Sequence, residues 1–318
     1  MPNLRPPSGS IVTALRLAAR GLMARNEPEP PLEAPRRKPA VERTGVFADA
    51  ASVERYLRAT EGADIAALRG ECAPLPPLFP TTWETERCLE LFAGLDRPLP
   101  VGGVVHLESE ILCLRPIRRD DTVRCRVELE RAERVSRGLR LTVTARNWTA
   151  TGQLCSQSTA IFLARTRAPQ EPRTDDAPRP DPAAEGPQTW EPLASWMLGG
   201  GAGRRYARAS GDYNPIHLWG WTARPFGFKR PILHGFCTAA MAAHVLVEGP
   251  LGGDPTALRR IRIAFRAPLP LPAHARLWVG EADGQRWFRV TDDPGDTLFA
   301  QGTWAGTVRA DPTLTPRR

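Results

Sequence analysis

With 318 residues, 42% of them apolar, and a net charge of +8, the chain is long for one small domain and suits two of roughly 100–150 residues. No apolar run approaches the about 20 residues that span a bilayer, and no secretory-type stretch opens the sequence, so a cytoplasmic protein without a membrane span is expected. The charge rests on scattered arginines, Lys38 and Lys229 being the only lysines; with no zinc-finger, helix-turn-helix or RNP-like pattern beside them, nucleic acid is not an expected partner.

In chain order, "SIVTALRLAARGLMAR" places Ile11, Val12, Leu15, Ala18, Ala19, Leu22 and Met23 at helical spacing among arginines, a basic amphipathic helix suited to docking on the protein's own surface or to membrane contact. Residues 26–44 are rich in proline and charge and read as a linker, so 1–44 form an N-terminal helix and linker. A first body follows at 45–165. It opens with "YLRATEG" and a helix in "TTWETERCLELFAGL". Alternating strands follow in "HLESEILCLRPI", "DTVRCRVELERAERV", "GLRLTVTARNWTA" and "LCSQSTAIFLAR". Residues 166–189 form a second Pro-rich linker. The second body, 190–310, repeats the order at an offset of about 150: "YARASGD", a helix in "GFCTAAMAAHVLVEG", then strands in "LRRIRIAFRAPL", "ARLWVGEA", "RWFRVTDD" and "LFAQGTWAGTV". Residues 311–318 are a tail. Each body therefore reads as a long helix followed by a largely antiparallel sheet, an α+β unit present twice.

The two copies differ where polar chemistry concentrates. Asp212 faces Gly62, His217 falls near Ala67, and the pair His234-Gly235 meets Thr82-Trp83. A turn needed only for folding should appear in both copies. Asp-x-Asn-Pro alone is a common turn signal, and a lone histidine is more often structural than catalytic. The asymmetry, together with His234-Gly235 nearby, points to function. The six cysteines, Cys72, Cys88, Cys113, Cys125, Cys155 and Cys237, neither cluster nor form CxxC, and reduced, partly buried thiols are expected. Asp212, His217 and His234 lack the spacing of zinc motifs, and no G-x-S-x-G elbow supports a serine hydrolase.

Tyr206, Ser210, Gly211, Asp212, Asn214, Pro215, Ile216, His217 and Ala223, followed by Gly227, Phe228, Pro231 and His234-Gly235, resemble the hydratase-2 motif of MaoC-like dehydratases. The segment "LPPLFP…PLPVGGVVHLESEILCLRPIRRDDTV" is similar to the degenerate N-terminal hotdog of two-hotdog members of that family, and so is "PPSGSIVTALRLAA" near the N-terminus. The resemblance implies a double hotdog and an (R)-specific 3-hydroxyacyl-thioester dehydratase or 2-enoyl-CoA hydratase, a hydro-lyase of fatty-acid metabolism needing no metal or redox cofactor. It implies a CoA or acyl-carrier-protein thioester as substrate, and a monomer (a pseudo-dimer) or a homodimer. By the same resemblance Asp212 and His217 share the catalytic water and deliver its parts to one face of the substrate. Gly235 opens the central helix, where an unpaired N–H and the positive dipole end would meet the thioester oxygen. Asn214, Ser210 and His234 are supporting residues, and Tyr206, Pro231, Ile232 and Phe236 are expected against substrate. The first hotdog is expected to accommodate the acyl chain. Trp219 and Trp221 stand where relatives often carry polar residues; they line the pocket mouth or pack between the hotdogs. The alternatives are a hotdog acyl-CoA thioesterase, disfavoured because "GFCTAAMAAHV" has no acidic residue, and a non-catalytic acyl-thioester-binding protein.

Overall fold

The computed structural model describes residues 38–307 apart from 47, 70–72, 96–98, 100–103, 120, 136–137 and 166–185. The expected N-terminal helix, most of both linkers, Cys72 and the tail lie outside the described residues. Within them, ten strands form one antiparallel sheet: β1 (Ala40–Val46), β2 (Val104–Cys113), β3 (Val123–Val135), β4 (Gly138–Thr149), β5 (Leu154–Arg165), β6 (Glu191–Leu198), β7 (Leu258–Phe265), β8 (Ala273–Ala282), β9 (Gln285–Asp292) and β10 (Leu298–Gly306). Their order is β1-β3-β4-β5-β2-β7-β10-β9-β8-β6. From the central β2–β7 seam, each strand of one half has a counterpart five strands later in the other. The internal repeat is thus visible as pseudo-twofold topology: two hotdogs sharing one sheet.

Alternation explains the strands. In β3, Val123, Cys125, Val127 and Leu129 are buried while the intervening residues are half-covered, as a sheet with one packed face requires. At the seam Ile111 pairs with Ile261 and Ser109 with Ile263. All four are buried, and each isoleucine contributes about 1.5–3 kcal/mol by leaving water. Arg260 meets Glu110 and Arg262 meets Glu108 across the same seam.

Each half wraps a short helix and a longer one. The short ones are α1 (Ala50–Ala59) and, after α2, α3 (Ala202–Ser210); the longer ones are α2 (Thr81–Ala93) and α5 (Gly235–Glu248), with a one-turn helix α4 (Gly220–Ala223) between α3 and α5. Helix α5 is apolar nearly all round, and ten of its residues, from Cys237 to Val247, are buried, as suits a helix enclosed by sheet. Helix α2 is amphipathic but buries Glu84 and Arg87. The helix starts align Pro80-Thr81 with His234-Gly235, so the register Thr82-Trp83 read from sequence is shifted by two residues.

Two strands escaped the sequence reading. β1 runs through residues placed in the first linker, and β6 covers "EPLASWML". Both are edge strands with a single partner, β3 and β8 respectively. Four consecutive residues of β1, Glu42–Gly45, are exposed, so no alternation marks it as a strand.

Candidate active site

The site begins at the C-terminus of α3, which the left-handed Gly211 terminates. The chain then turns through an Asx motif. Asn214 N–H donates to Asp212 Oδ1 at 3.0 Å, and Ile216 N–H to Asn214 Oδ1 at 3.4 Å. Behind it, Ser210 Oγ donates to Tyr206 O at 2.9 Å and accepts from Asp212 N–H at 3.2 Å. Short-range side-chain-to-backbone bonds of this kind are what Asp, Asn and Ser make in turns. They leave Asp212 Oδ2 to the cavity, with the side chain only partly covered. Pro215 then starts a single 3-10 turn that ends at His217.

His217 is buried, and its Nδ1 lies 2.8 Å from Ile232 O. A carbonyl only accepts, so the proton is on Nδ1 and Nε2 carries a free lone pair. Burial lowers the His217 pKa; the Asp212 charge and the Ile232 bond oppose that shift without cancelling it. The ring is therefore a neutral base near pH 7. His234 stacks on it with centroids 3.7 Å apart and donates from Nε2 to Asp212 O at 3.0 Å. Burial, then the neighbouring His217, pushes His234 well below the ordinary histidine pKa. His234 thus ties the Asp212 main chain to the start of α5, while its Nδ1 is buried without a partner.

A carboxylate oxygen of Asp212 and a ring nitrogen of each histidine lie within 4.8 Å of one another. That limit lets a single water at about 2.8 Å from each bridge Asp212 and His217. The same three residues are the group among the described residues that could hold a metal ion, although their sequence spacing had argued against it. His234 could offer Nε2 to an ion only by giving up its bond to Asp212 O.

Gly235 begins α5 with no side chain capping it, so its N–H has no acceptor within the helix. A Cβ there would lie 2.9 Å from Phe265 Cζ and 3.1 Å from His106 Nδ1. Only glycine leaves this approach open.

These groups face a cavity of about 750 Å³. Tyr206, Asp212, Asn214, His217, Ile232, His234, Gly235 and Phe236 line it, so the fold brings together most residues singled out in the sequence. Ser210 stands behind the wall. Pro231 is not on the wall either; its carbonyl accepts from Leu271 N–H at 2.8 Å, so its part is to position the strand-like segment before α5. Trp219 and Trp221 are 44% and 71% exposed and stack on each other at 5.9 Å. They neither line the cavity nor pack between the hotdogs, because α4 presents them to solvent.

The cavity continues beneath the first hotdog, along Cys88, Leu89 and Phe92 of α2 and along β3, β4 and β5. Two polar groups there went unread in the sequence. Glu84 is buried, with Asn147 Nδ2 donating to Oε1 at 2.5 Å and Ser158 Oγ to Oε2 at 2.6 Å. Burial raises its pKa against those two bonds. It also means that a central helix does carry a buried acid, though in the first hotdog rather than beside Asp212. The second is His106 of β2. Neither belongs to a local motif; their signal is the pairing of distant strands and helices.

The hotdog pair thus brings a carboxylate, an imidazole and an uncapped helix start together at the head of one long cavity. The model of the MaoC like domain matches residues 201–297. The 3-hydroxyacyl-thioester dehydratase X of Mycobacterium tuberculosis is 32% identical over 238 residues, 74% of this chain and 78% of that one. The peroxisomal enoyl-CoA hydratase 2 of Arabidopsis thaliana is 48% identical over 58 residues, 18% of this chain and 19% of that one. Among solved structures, HtdX of Mycobacterium tuberculosis superposes with a TM-score of 0.67 at 26% identity, covering 85% of this chain and 100% of that one. The chain belongs to the MaoC-like dehydratase family.

Proposed function

We propose that the protein catalyses reversible syn addition of water to a trans-2-enoyl thioester, giving the (R)-3-hydroxyacyl thioester of CoA or of an acyl carrier protein. The observation that carries this is the convergence of Asp212, His217 and the uncapped Gly235 at the head of a cavity that runs under the first hotdog. In hydration, water held between Asp212 and His217 loses a proton to that pair as its oxygen adds to C3. The pair returns a proton to C2 from the same side, so the site ends with its starting charge. Negative charge passes transiently to the thioester oxygen, where Gly235 N–H and the α5 dipole stabilise it. The neutral state of His217 supports its part as base. Dehydration is the same path reversed, and which direction prevails depends on the supply of substrate.

The division of labour follows the two halves. Residues 190–310 form the catalytic hotdog, and residues 45–165, extended by β1, form the hotdog that takes the acyl chain between α2 and β3–β5. Loss of the conjugated-thioester absorbance on adding the protein to crotonyl-CoA, and separately to a long-chain 2-enoyl-CoA, tests the reading. Release of free thiol from an acyl-CoA without consumption of the double bond would favour the thioesterase instead.

A further inference from the structure

The first hotdog has lost the counterparts of Asp212 and His217, yet it sends one ionisable side chain back to the reacting end of the cavity. His106 lies on β2, two residues before the stretch paired with β7. A bulge between His106 and Glu108 in the β2–β5 pairing changes the strand's alternation there, so the His106 and Ser109 side chains meet at 2.7 Å between Nε2 and Oγ. The imidazole is half-buried against Phe162, stacked at 4.8 Å, and against Phe236 and Phe265 at 4.6 and 4.7 Å. An imidazole costs more to bury than the phenylalanine this setting would suit. Its Nδ1 faces the cavity wall beside Gly235, 3.1 Å from where a Cβ on that glycine would stand.

That last distance limits how far Nδ1 is from the Gly235 nitrogen. Two bonds meeting at the Cα angle span about 2.5 Å, which places the nitrogens within about 5.6 Å of each other. Two donors at that separation can share one oxygen at about 2.9 Å from each. The Ser109 hydroxyl can donate to Nε2, and in that tautomer the ring proton sits on Nδ1, on the side of that oxygen. Burial holds the His106 pKa down at about 4, so the ring is neutral and donates without placing a full charge beside the thioester.

We propose that His106 is a catalytic residue contributed by the non-catalytic hotdog, its Nδ1–H donating to the thioester oxygen together with Gly235 N–H. The role rests on the hydratase reading above. It also ties the two hotdogs together functionally, because the second cannot complete its own oxyanion site.

The test uses the full chain. In an Asp212→Asn background, where turnover should be slowed at least about a hundredfold, difference infrared spectroscopy reads the carbonyl stretch of crotonyl-CoA while it is bound. Two polarising donors should shift it to lower frequency, and His106→Phe, whose ring suits its three phenylalanine neighbours, should lose a measurable part of that shift. In otherwise wild-type protein the same change should lower kcat by about a hundredfold with KM little altered. His106→Asn returns an amide N–H near the position of Nδ1 and should recover part of both effects. An unchanged stretch in His106→Phe, or a rise in KM alone, overturns the proposal. Should His106→Phe fail to fold, Ser109→Ala leaves the ring and removes what orients its proton; a stretch that does not move there overturns it equally. A wild-type chain that never hydrates any 2-enoyl thioester sinks the hydratase reading itself, whereas hydration with an unmoved stretch sinks only the role of His106.

Discussion

Replacing Gly235 by alanine tests the helix-end donor with a single methyl group. The added Cβ would stand 2.9 Å from Phe265 Cζ, 3.1 Å from Phe265 Cε2 and 3.1 Å from His106 Nδ1, tighter than van der Waals contact allows. The Phe265 ring edge must shift by a few tenths of an ångström, an overpacking cost of about 1–3 kcal/mol. Alanine recovers up to about 1 kcal/mol of helix propensity relative to glycine. The net loss is therefore at most about 3 kcal/mol, and at about 2–4 °C per kcal/mol the protein stays folded at assay temperature. The methyl group also occupies the path by which a carbonyl oxygen reaches the N–H. Loss of one oxyanion donor should cost about a hundred- to a thousandfold in kcat, about 2.7–4 kcal/mol of barrier. The assay is initial-rate loss of enoyl-thioester absorbance with crotonyl-CoA and with a long-chain substrate, beside a thermal melt. Both substrates should suffer alike, because the blocked group is common to them. An alanine variant that melts within a few degrees of wild type yet keeps kcat within about threefold, less than ~0.7 kcal/mol of barrier, would refute the assignment. Valine is the poorer probe, since its branches would collide with the same Phe265 and His106 atoms and confound folding with chemistry.

Asp212→Asn and His217→Ala should each lower turnover at least about a hundredfold while the circular dichroism spectrum stays native; near-normal turnover in either would remove the dyad. Leu91 belongs to the core, so Leu91→Ala should destabilise by about 2–5 kcal/mol in a denaturant melt. Leu89, by contrast, lines the cavity and packs chiefly with Ala93. Leu89→Ala should leave stability nearly unchanged and alter kcat/KM for long-chain substrates more than for crotonyl-CoA. On acidification, His106, His217, His234 and His244 all have folded-state pKa values below the ordinary 6.5, first because of burial. Their unfolded forms bind protons first, so stability present above about pH 6.5 is lost as pH falls below it. Glu84, raised by burial, acts in the opposite direction, one group against four. Melting temperature should therefore fall between pH 7 and pH 5, and the acid limb of kcat should lie below the ordinary histidine pKa; a melting temperature that rises over that range would contradict the burial of these rings.

The short-range part of the site was legible because turn chemistry is local. Asp212, Asn214 and His217 sit on one Asx turn and one 3-10 turn, so their sequence spacing already implies their proximity, and Gly235 follows a helix-start pattern. The repeat was legible too, since alternation in β2–β5 and β7–β10 is imposed by a sheet packed on one face. β1 and β6 were not, because an edge strand needs one partner and little burial, and its sequence need not alternate. Leu89 and Leu91 look interchangeable in "TTWETERCLELFAGL"; only the position of the sheet against α2 makes one cavity wall and the other core. Pro231 fits the motif yet lies off the cavity, for its main chain is bonded to Leu271. Glu84 and His106 gave no sign of a role in the sequence. What brings His106 beside Gly235 is the β2–β7 register and the bulge before Glu108, and what buries Glu84 is the approach of α2 to Asn147 and Ser158. Such proximity comes from pairing between residues far apart in the chain, where no spacing rule operates, so the tertiary structure alone decided it.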